Sequence, residues 1–492
     1  MPAIINTNVA SLNAQRNLTG SQTALATSLQ RLSSGLRINS AKDDAAGLAI
    51  SERFSAQIRG SDQALRNAND GISLSQVAEG SLTEVSNALQ RIRELSVQSA
   101  NATNSSSDRA ALNAEVNQLV AELDRLALTS EFNGQKILDG SFTSAVYQVG
   151  ANANETITAT TTNFRTTKYG NYRIGAVVAS ASTPDGDLMA GSTANAIASN
   201  AAATSRVAGG NITINGAAGS ATVAAAAGAS AKTVAGLINA QTTNTGVTAS
   251  ALTRFDLTAM TTSASFSLAI TSDNSTAVTV SFSTGATLNA DGLAAGINAI
   301  NDVSSKTGVT AKLNAAGTGI TLSNAAGENI TIANNSATAS VTVGGTATAA
   351  AATAVGTGQL TLDADKSYSV TAANTTDFFT ATTAASQLQT VSALDVTTVG
   401  AATRSLALVD SALATVNGQR AKFGALQSRF EATIASLESR TENLSAARSR
   451  IRDADFAQET ANLTRAQILQ QAGVAMVAQA NAVPQSVLAL LQ

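Results

Sequence analysis

The 492-residue chain contains no cysteine, histidine or tryptophan, and only 3% of its residues are aromatic. The lack of Cys excludes disulfides and thiol nucleophiles. The lack of both Cys and His excludes the usual zinc sites and every His-based base or catalytic triad. An enzyme would have to work with carboxylates, Lys, Ser, Thr or Tyr. The net charge of -3 provides no basic field for nucleic acid.

Long hydrophobic runs are also missing. No stretch of 18 apolar residues occurs, so we expect no membrane insertion. Residues 1–8 contain neither a basic n-region nor an apolar h-region, so no signal peptide is expected there. No GxxxxGK[ST] motif occurs, which argues against a P-loop. The sequence therefore predicts neither an enzyme nor a cofactor.

Charge is distributed unevenly along the chain. Of the 30 Lys and Arg and the 33 Asp and Glu residues, only 20 lie between residues 143 and 393, a segment that also holds all four Tyr. We therefore expect one kind of structure at both ends and another kind in the middle.

The N-terminal segment has the apolar spacing of long helices. Three series show it: Leu25, Leu29, Leu32 and Leu36; Ile58, Leu65 and Ile72; and Leu82, Val85, Leu89 and Ile92. Residues 40–43 have the form of a capping box, which predicts a helix start. A polar break at 101–107 should end this helix, and a second one should begin near Asp108.

The C-terminal segment has the strongest pattern, an apolar residue at every seventh position: Val409, Val416, Phe423, Phe430, Leu437, Leu444 and Ile451. A heptad repeat is typical of a helix that supercoils against partner helices. An ordinary bundle helix would explain one such repeat, but repeats at both ends favour a long antiparallel coiled-coil rod. We expect Phe430 to pack against the face formed by Leu82, Val85, Leu89 and Ile92, and Glu438 to face solvent.

The last 40 residues are apolar but weakly charged. Such a segment should be buried, and the Ala- and Asn-rich first 40 residues are the only partner that a single chain offers. We therefore expect burial against other copies of the chain.

The middle segment is rich in Thr, Ala, Ser, Gly and Asn and has the alternation of β-strands. Residues 146–149 and 156–158 predict a hairpin, and further strands are expected at 211–214, 266–270, 278–282 and 329–332. Residues 238–249 recur as 300–311, which predicts two or more small α+β modules. Low-complexity linker is the alternative, particularly at 347–357.

Candidate chemical sites are few. The pair Asp43-Asp44 is expected to favour a helix N-terminus. The sequences 185–187 and 363–365 each carry two Asp and could contact a cation, but exposed turns are the better interpretation. Arg448, Arg450 and Arg452, followed by Asp453 and Asp455, predict ion pairs rather than a nucleic-acid site.

The two ends of the chain resemble bacterial flagellins. The resemblance rests on residues 5–18, 32–51, 69–73 and 132–134 near the N-terminus and on residues 466–473 and 478–485 near the C-terminus. It covers about 1–175 and 395–492. The repeat described above resembles the Ile-Asn motif of some flagellin outer domains.

The resemblance implies an α+β multidomain fold. The terminal helices would pair into a long coiled-coil rod with one β-hairpin, and Thr/Ala-rich α+β outer domains would be inserted in the middle. The expected segments are an inner-core helix at 1–42, half of the rod with the hairpin at 43–177, outer domains at 178–394 with repeats near 232–252 and 291–332, the second rod helix at 395–453, and a second inner-core helix at 454–492.

The resemblance also implies a function. The chain would self-assemble as a homopolymer into the flagellar filament, after unfolded export to the outside of the cell through the flagellar type III apparatus. The implied partners are the export chaperone, the filament cap protein, hook-associated junction proteins and host flagellin receptors. A zinc protease, which some flagellins carry, is excluded by the lack of His.

Two motifs of the sequence also imply contacts with host flagellin receptors. Residues 30–51 resemble the epitope sensed by plant flagellin receptors. Arg91 and Leu95, with Glu115 on the adjoining helix, match the surface recognised by the animal Toll-like receptor for flagellin. A hook–filament junction protein and an unrelated secreted coiled-coil adhesin stay open as alternatives.

Overall fold

The computed structural model describes residues 7–175, 197–200, 205, 207–373, 378–379 and 383–489. The chain divides into two compact units. Unit 1 comprises Met1–Gln76, Ser144–Thr160 and Phe423–Gln492, and unit 2 comprises Val77–Thr143 and Thr161–Lys422. The sequence 185–187, considered above for a cation, lies outside the described residues.

The ends of the chain are helical and the middle is mostly β. The α-helices in the described ranges are α1 (Val9–Ser34), α2 (Ala45–Ala100), α3 (Ser106–Thr129), α4 (Ala231–Asn239), α5 (Thr242–Thr245), α6 (Ala290–Asp302), α7 (Ser304–Thr307), α8 (Val399–Arg452) and α9 (Phe456–Ala489), and a 3-10 turn covers Val391–Ala393. The predicted α+β class is confirmed.

The strands in the same ranges are β1 (Glu131–Phe132), β2 (Gln135–Lys136), β3 (Ser144–Gln148), β4 (Thr156–Thr160), β5 (Gly170–Ile174), β6 (Ile197–Asn200), β7 (Gly210–Asn215), β8 (Ser220–Ala225), β9 (Thr248–Thr258), β10 (Ser265–Thr271), β11 (Val278–Ser283), β12 (Thr310–Leu313), β13 (Ile320–Asn324), β14 (Ile330–Asn334), β15 (Val341–Val343), β16 (Thr346–Thr348), β17 (Thr353–Gly356), β18 (Gln359–Ala364), β19 (Ser369–Ala372), β20 (Thr383–Ala385) and β21 (Gln387–Thr390). The strands at 346–348 and 353–356 show that 347–357 is folded rather than linker.

Local capping fixes the starts of the N-terminal helices. At α3, the Ser105 hydroxyl accepts from the Asp108 backbone N–H and the Asp108 carboxylate accepts from that of Ser105, a complete capping box. The predicted box at 40–43 is wrong, because those residues form a turn and α2 begins later. Asp44 caps that helix, accepting from the backbone N–H of Gly47 at 2.8 Å.

In unit 1, the hairpin of β3 and β4 packs on two long helices. Its side chains Tyr147, Val149 and Ile157 join Ala68 of α2 and Phe430 of α8 in one buried cluster. Elsewhere in unit 1, the connection between α1 and α2 meets the connection between α8 and α9, because Leu36 and Asp453 form an antiparallel β-bridge. The predicted hairpin is confirmed.

In unit 2, the large sheets are antiparallel and enclose two cores. A five-stranded sheet has the order β11-β10-β14-β17-β6, a four-stranded sheet has the order β20-β19-β7-β8, and the largest sheet contains β12-β13-β9-β18-β5-β21 with β15 and β16 attached at β9. One core gathers around Leu268, Ile320 and Ile332, and the other gathers around Ile214, Val234 and Leu362.

The internal repeat forms two modules built alike. The first is α4, α5 and β9, and the second is α6, α7 and β12. In each module, an Asn side chain forms two hydrogen bonds with the backbone of one strand residue. Asn239 accepts from the Ala249 N–H at 2.7 Å and donates to the Ala249 carbonyl at 2.8 Å. Asn301 does the same to Ala311 at 2.8 and 2.9 Å. The Asn of the Ile-Asn repeat therefore connects the end of a helix to the following strand by hydrogen bonds.

The exposed turn predicted at 363–365 holds for Asp365, which lies exposed in a bend, but not for Asp363. Asp363 lies in β18 rather than in an exposed turn, and it forms an ion pair with Arg173 of β5 at 2.5 Å, with both side chains at least 85% buried. Asn171 also donates to this carboxylate. The arginine and the amide stabilise the charge, so this Asp is a structural residue of the large sheet.

One helix in the described residues, α8, is long and apolar enough over an 18-residue window to cross a membrane by composition alone. Such a window also occurs in the core helices of water-exposed proteins. In α8 the buried side chains include Val409, Ala412 and Val416. Packing against protein thus accounts for part of its hydropathy.

Candidate assembly interface

The buried face of α2 is a continuous stripe with spacings of three and four residues. Its members are Ser61, Ala64, Ala68, Gly71, Ser75, Ala78, Leu82, Val85, Leu89, Ile92, Ser96 and Ser99. The first half consists of small residues only. This half carries no large apolar residue that would reveal it in the sequence. Ile58, Leu65 and Ile72, from which the buried face was predicted, lie beside the stripe, and the latter two are only partly buried.

On α8, the predicted heptad positions are buried over most of their length. Val409, Val416, Phe423, Phe430 and Leu437 are at most 5% exposed. Leu444 and Ile451 are half-buried, and Glu438 is exposed.

Phe430 occupies a niche made by a missing side chain. A Cβ at Gly71 would lie 2.5 Å from the Cζ atom of Phe430, so only glycine leaves room for the ring. The ring also meets Tyr147 of the hairpin edge-on, with centroids 5.5 Å apart. The prediction that Phe430 packs against Leu82, Val85, Leu89 and Ile92 is wrong, because its niche lies more than a heptad nearer the N-terminus of α2.

Ion pairs mark the antiparallel register of α2 and α8. In unit 2, Arg93 pairs with Asp410 at 2.7 Å and Glu79 with Arg420 at 3.8 Å. The four predicted residues Leu82 to Ile92 therefore lie level with residues 410–420. In unit 1, Glu52 pairs with Arg452 at 3.0 Å, which accounts for part of the predicted Arg448–Arg452 ion-pair cluster.

The terminal helices α1 and α9 pair antiparallel within unit 1. Near one end, Asn8 donates to the Ala480 carbonyl at 2.8 Å and Ser11 to the Asn481 side chain at 2.7 Å. At the other end, the Glu459 carboxylate accepts from Ser28 and pairs with Arg31, both at 3.0 Å.

Several large apolar residues of this helix pair are exposed, whereas Leu18, Leu25 and Leu32 are half-buried. The exposed ones are Val9, Leu12 and Leu29 on α1 and Phe456, Ile468, Leu469, Val474 and Met476 on α9, each at least 49% exposed. The fully buried residues of the two helices are small or polar instead. Large apolar side chains left exposed in this number on one helix pair indicate an interaction site.

The residues matched to the animal receptor surface lie on α2 and α3. Arg91 is half-exposed and pairs with Glu115 at 2.9 Å and with Glu94 at 3.0 Å. The hydrogen bonds that Arg91 donates to the carboxylates of Glu94 and Glu115 raise the pKa of its guanidinium. Leu95 is only 1% exposed. Direct contact through Leu95 would require this side chain to leave the core.

The comparisons with known proteins point in one direction. Residues 5–143 match the bacterial flagellin N-terminal helical region, residues 406–491 match the bacterial flagellin C-terminal helical region, and residues 211–262 match the flagellin hook IN motif. The chain is similar to the B-type flagellin of Pseudomonas aeruginosa, at 42% identity, and to a flagellin of Salmonella choleraesuis, at 36%, with all of both chains covered in each case.

Among solved structures, the chain is similar to FliC from Burkholderia pseudomallei at 20% identity, covering 73% of this chain and 99% of that one. The TM-score of 0.30 is too low to add to the sequence match.

Proposed function

The chain belongs to the bacterial flagellin family and is a structural subunit of the flagellar filament, and from this premise we propose that α1 and α9 carry the contacts between subunits. The observation that carries the proposal is the outward apolar face of these helices. A pair that exposes Phe456, Ile468 and Met476 to water gains free energy when other copies cover it.

The paired helices α2 and α8 would serve a different purpose. Their heptad residues from Val409 to Leu437 and from Leu82 to Ile92 are already buried inside the chain, so these helices would stabilise the fold of the subunit itself. The β-rich region 178–394 contributes none of the residues proposed here for assembly. We propose that it is the solvent-facing outer part of the subunit.

Family membership supports a proposal for the remaining partners. We propose unfolded export through the flagellar type III apparatus, binding of the terminal segments by an export chaperone, insertion under a filament cap protein, and contact with hook-associated junction proteins. The filament lies outside the cell, which is the proposed location of this chain. We propose no enzymatic activity.

Host receptors are proposed as ligands of two regions, residues 30–51 and the surface around Arg91. In the second region the charged pair Arg91–Glu115 is accessible, whereas Leu95 would act indirectly by holding α2 in place.

The test is electron microscopy of polymer grown from purified protein. The wild-type chain should form long filaments, whereas a junction protein would not. Ile468→Asn places a polar amide on the outward face and should prevent polymerisation without changing the thermal melt of the monomer. Ile468→Val keeps the position apolar and should polymerise. Wild-type polymerisation by Ile468→Asn would contradict the assignment of this face.

A further inference from the structure

The contact between α1 and α9 is tied at one end by the Leu36–Asp453 bridge, and few features along the helices add to its axial register. Its most buried residues are Ser11, Ser28, Glu459 and Ala466, at 4–6% exposure. Heptad packing of large side chains normally holds two helices in one register, and here the heptad residues Leu18, Leu25 and Leu32 are only half-buried. Small and polar residues allow one helix to slide along the other with little change in apolar burial.

Asn8 and Ser11 make neutral hydrogen bonds across the pair at one end, and Glu459 makes a charged contact at the other. Its side chain is 7% exposed, and each carboxylate oxygen has a partner on α1: Oε1 meets Arg31 at 3.0 Å and Oε2 accepts from Ser28 at 3.0 Å. Desolvation alone would raise its pKa, but hydrogen bonds from Arg31 and Ser28 outweigh burial and hold the pKa below the ordinary value. The carboxylate is therefore charged in the paired state.

The charge content of the two helices makes this contact unique. Within Phe456–Ala489, Glu459 is the only acidic residue, and within Val9–Ser34 the only cations are Arg16 and Arg31. A slip of one heptad toward the N-terminus of α1 would replace Arg31 by Ala24 and leave the carboxylate without a cation. A buried unpaired charge is strongly unfavourable, so a slipped register is penalised at this point.

We propose that Glu459 and Arg31 are the positioning pair that selects a single register between the terminal helices, with Ser28 as the second donor. The inference rests on the proposed function, because it is in the filament that these helices must present one fixed apolar face to neighbouring copies. A single buried polar contact that sets register at the expense of stability is known from coiled coils.

Disulfide trapping can read the register directly, because the chain has no cysteine of its own. A Cβ at position 473 would lie 3.7 Å from the Cβ of Leu18, within the range that a disulfide needs. Leu18→Cys with Gly473→Cys therefore reports the native register. Leu25→Cys with Gly473→Cys and Leu18→Cys with Ala466→Cys report slips of one heptad, about 10 Å in opposite directions.

The full-length chain is oxidised before assembly, where a disulfide also captures transient pairing of the terminal helices, and again as filament, and filaments are counted separately by electron microscopy. With Glu459 and Arg31 present, the 18–473 disulfide should dominate. Glu459→Met, which keeps size and helix propensity, should reduce it about tenfold relative to the slipped products, without loss of helix content. Exchanging the charges, with Arg31→Glu and Glu459→Arg together, should restore the 18–473 product, which a role in stability alone would not do.

Two results would overturn the proposal. One is an 18–473 disulfide that fails to form with Glu459 and Arg31 intact, and the other is one that stays dominant in Glu459→Met. If the disulfides shift as expected but no variant and no wild-type chain forms long filaments, the positioning pair stands and the proposed assembly function fails.

Discussion

Phe430 is the single residue whose replacement should damage unit 1 most. It is 0% exposed, its ring lies over Gly71, and it meets Tyr147 edge-on. Phe430→Asp removes the ring from this cluster, and large-to-small changes of a buried Phe cost about 3–5 kcal/mol. The new carboxylate would lie among Ala68, Val149 and Ile157 without a donor, which adds a few kcal/mol.

The combined loss is a large share of the roughly 5–15 kcal/mol that stabilises a domain. For a folding unit of this size, each kcal/mol shifts the melting temperature by about 2–4 °C, so a loss of about 5 kcal/mol predicts a shift of about 10–20 °C. We expect Phe430→Asp to melt early and to fail in polymerisation. Circular dichroism melts and electron microscopy measure the two effects.

Two controls separate this reasoning from a general effect of substitution. Glu438→Lys changes a charge on the exposed side of α8, and it should alter stability by well under 1 kcal/mol. A double-mutant cycle of Phe430→Leu with Tyr147→Leu should give a coupling of about 0.5–1.5 kcal/mol, as aromatic pairs do. If Phe430→Asp melts and assembles like the Glu438→Lys control, the assignment of Phe430 to the buried face of α8 is wrong, and so is the coiled-coil rod inferred from it.

Four further predictions concern other parts of the chain. Limited proteolysis of the free monomer should trim about 1–40 and 455–492, because these segments bury few large residues; protection of both ends in a proven monomer would contradict this. Deletion of about 195–375 removes β18 from the large sheet, yet electron microscopy should still find filaments if the variant is exported and stably folded. Gly71→Ala should cost about 1–3 kcal/mol in thermal or denaturant melts, because its Cβ would overlap the Phe430 ring, and a wild-type melt would refute the niche. The folded pKa of Glu459 is lowered, so its contribution should be present at neutral pH and be lost as pH falls below the ordinary 4.5; Glu459→Gln should flatten that acid-side loss in a helix-content titration, and an unchanged pH profile would refute it.

The sequence by itself determined which faces of the long C-terminal helix are buried. Val409, Val416 and Phe423 follow a heptad, and a periodic apolar pattern specifies a helix face without knowledge of any partner. The hairpin at 146–158 and the helix-to-strand repeats were equally local, since turn residues and alternation act over a few neighbours. The family motifs at both ends added the function.

Only the tertiary structure decided how these faces meet. A heptad fixes the angle around a helix axis but not the position along it, so Phe430 was assigned to the wrong part of α2. The Ser, Ala and Gly half of the stripe carries no hydrophobic signal, because such residues matter through the close approach that they permit. The buried partner of Asp363 is Arg173, which lies on a strand almost two hundred residues away in the sequence. The outward apolar face of α1 and α9 likewise depends on which polar residues meet across the helix pair, and periodicity within one helix does not contain that information.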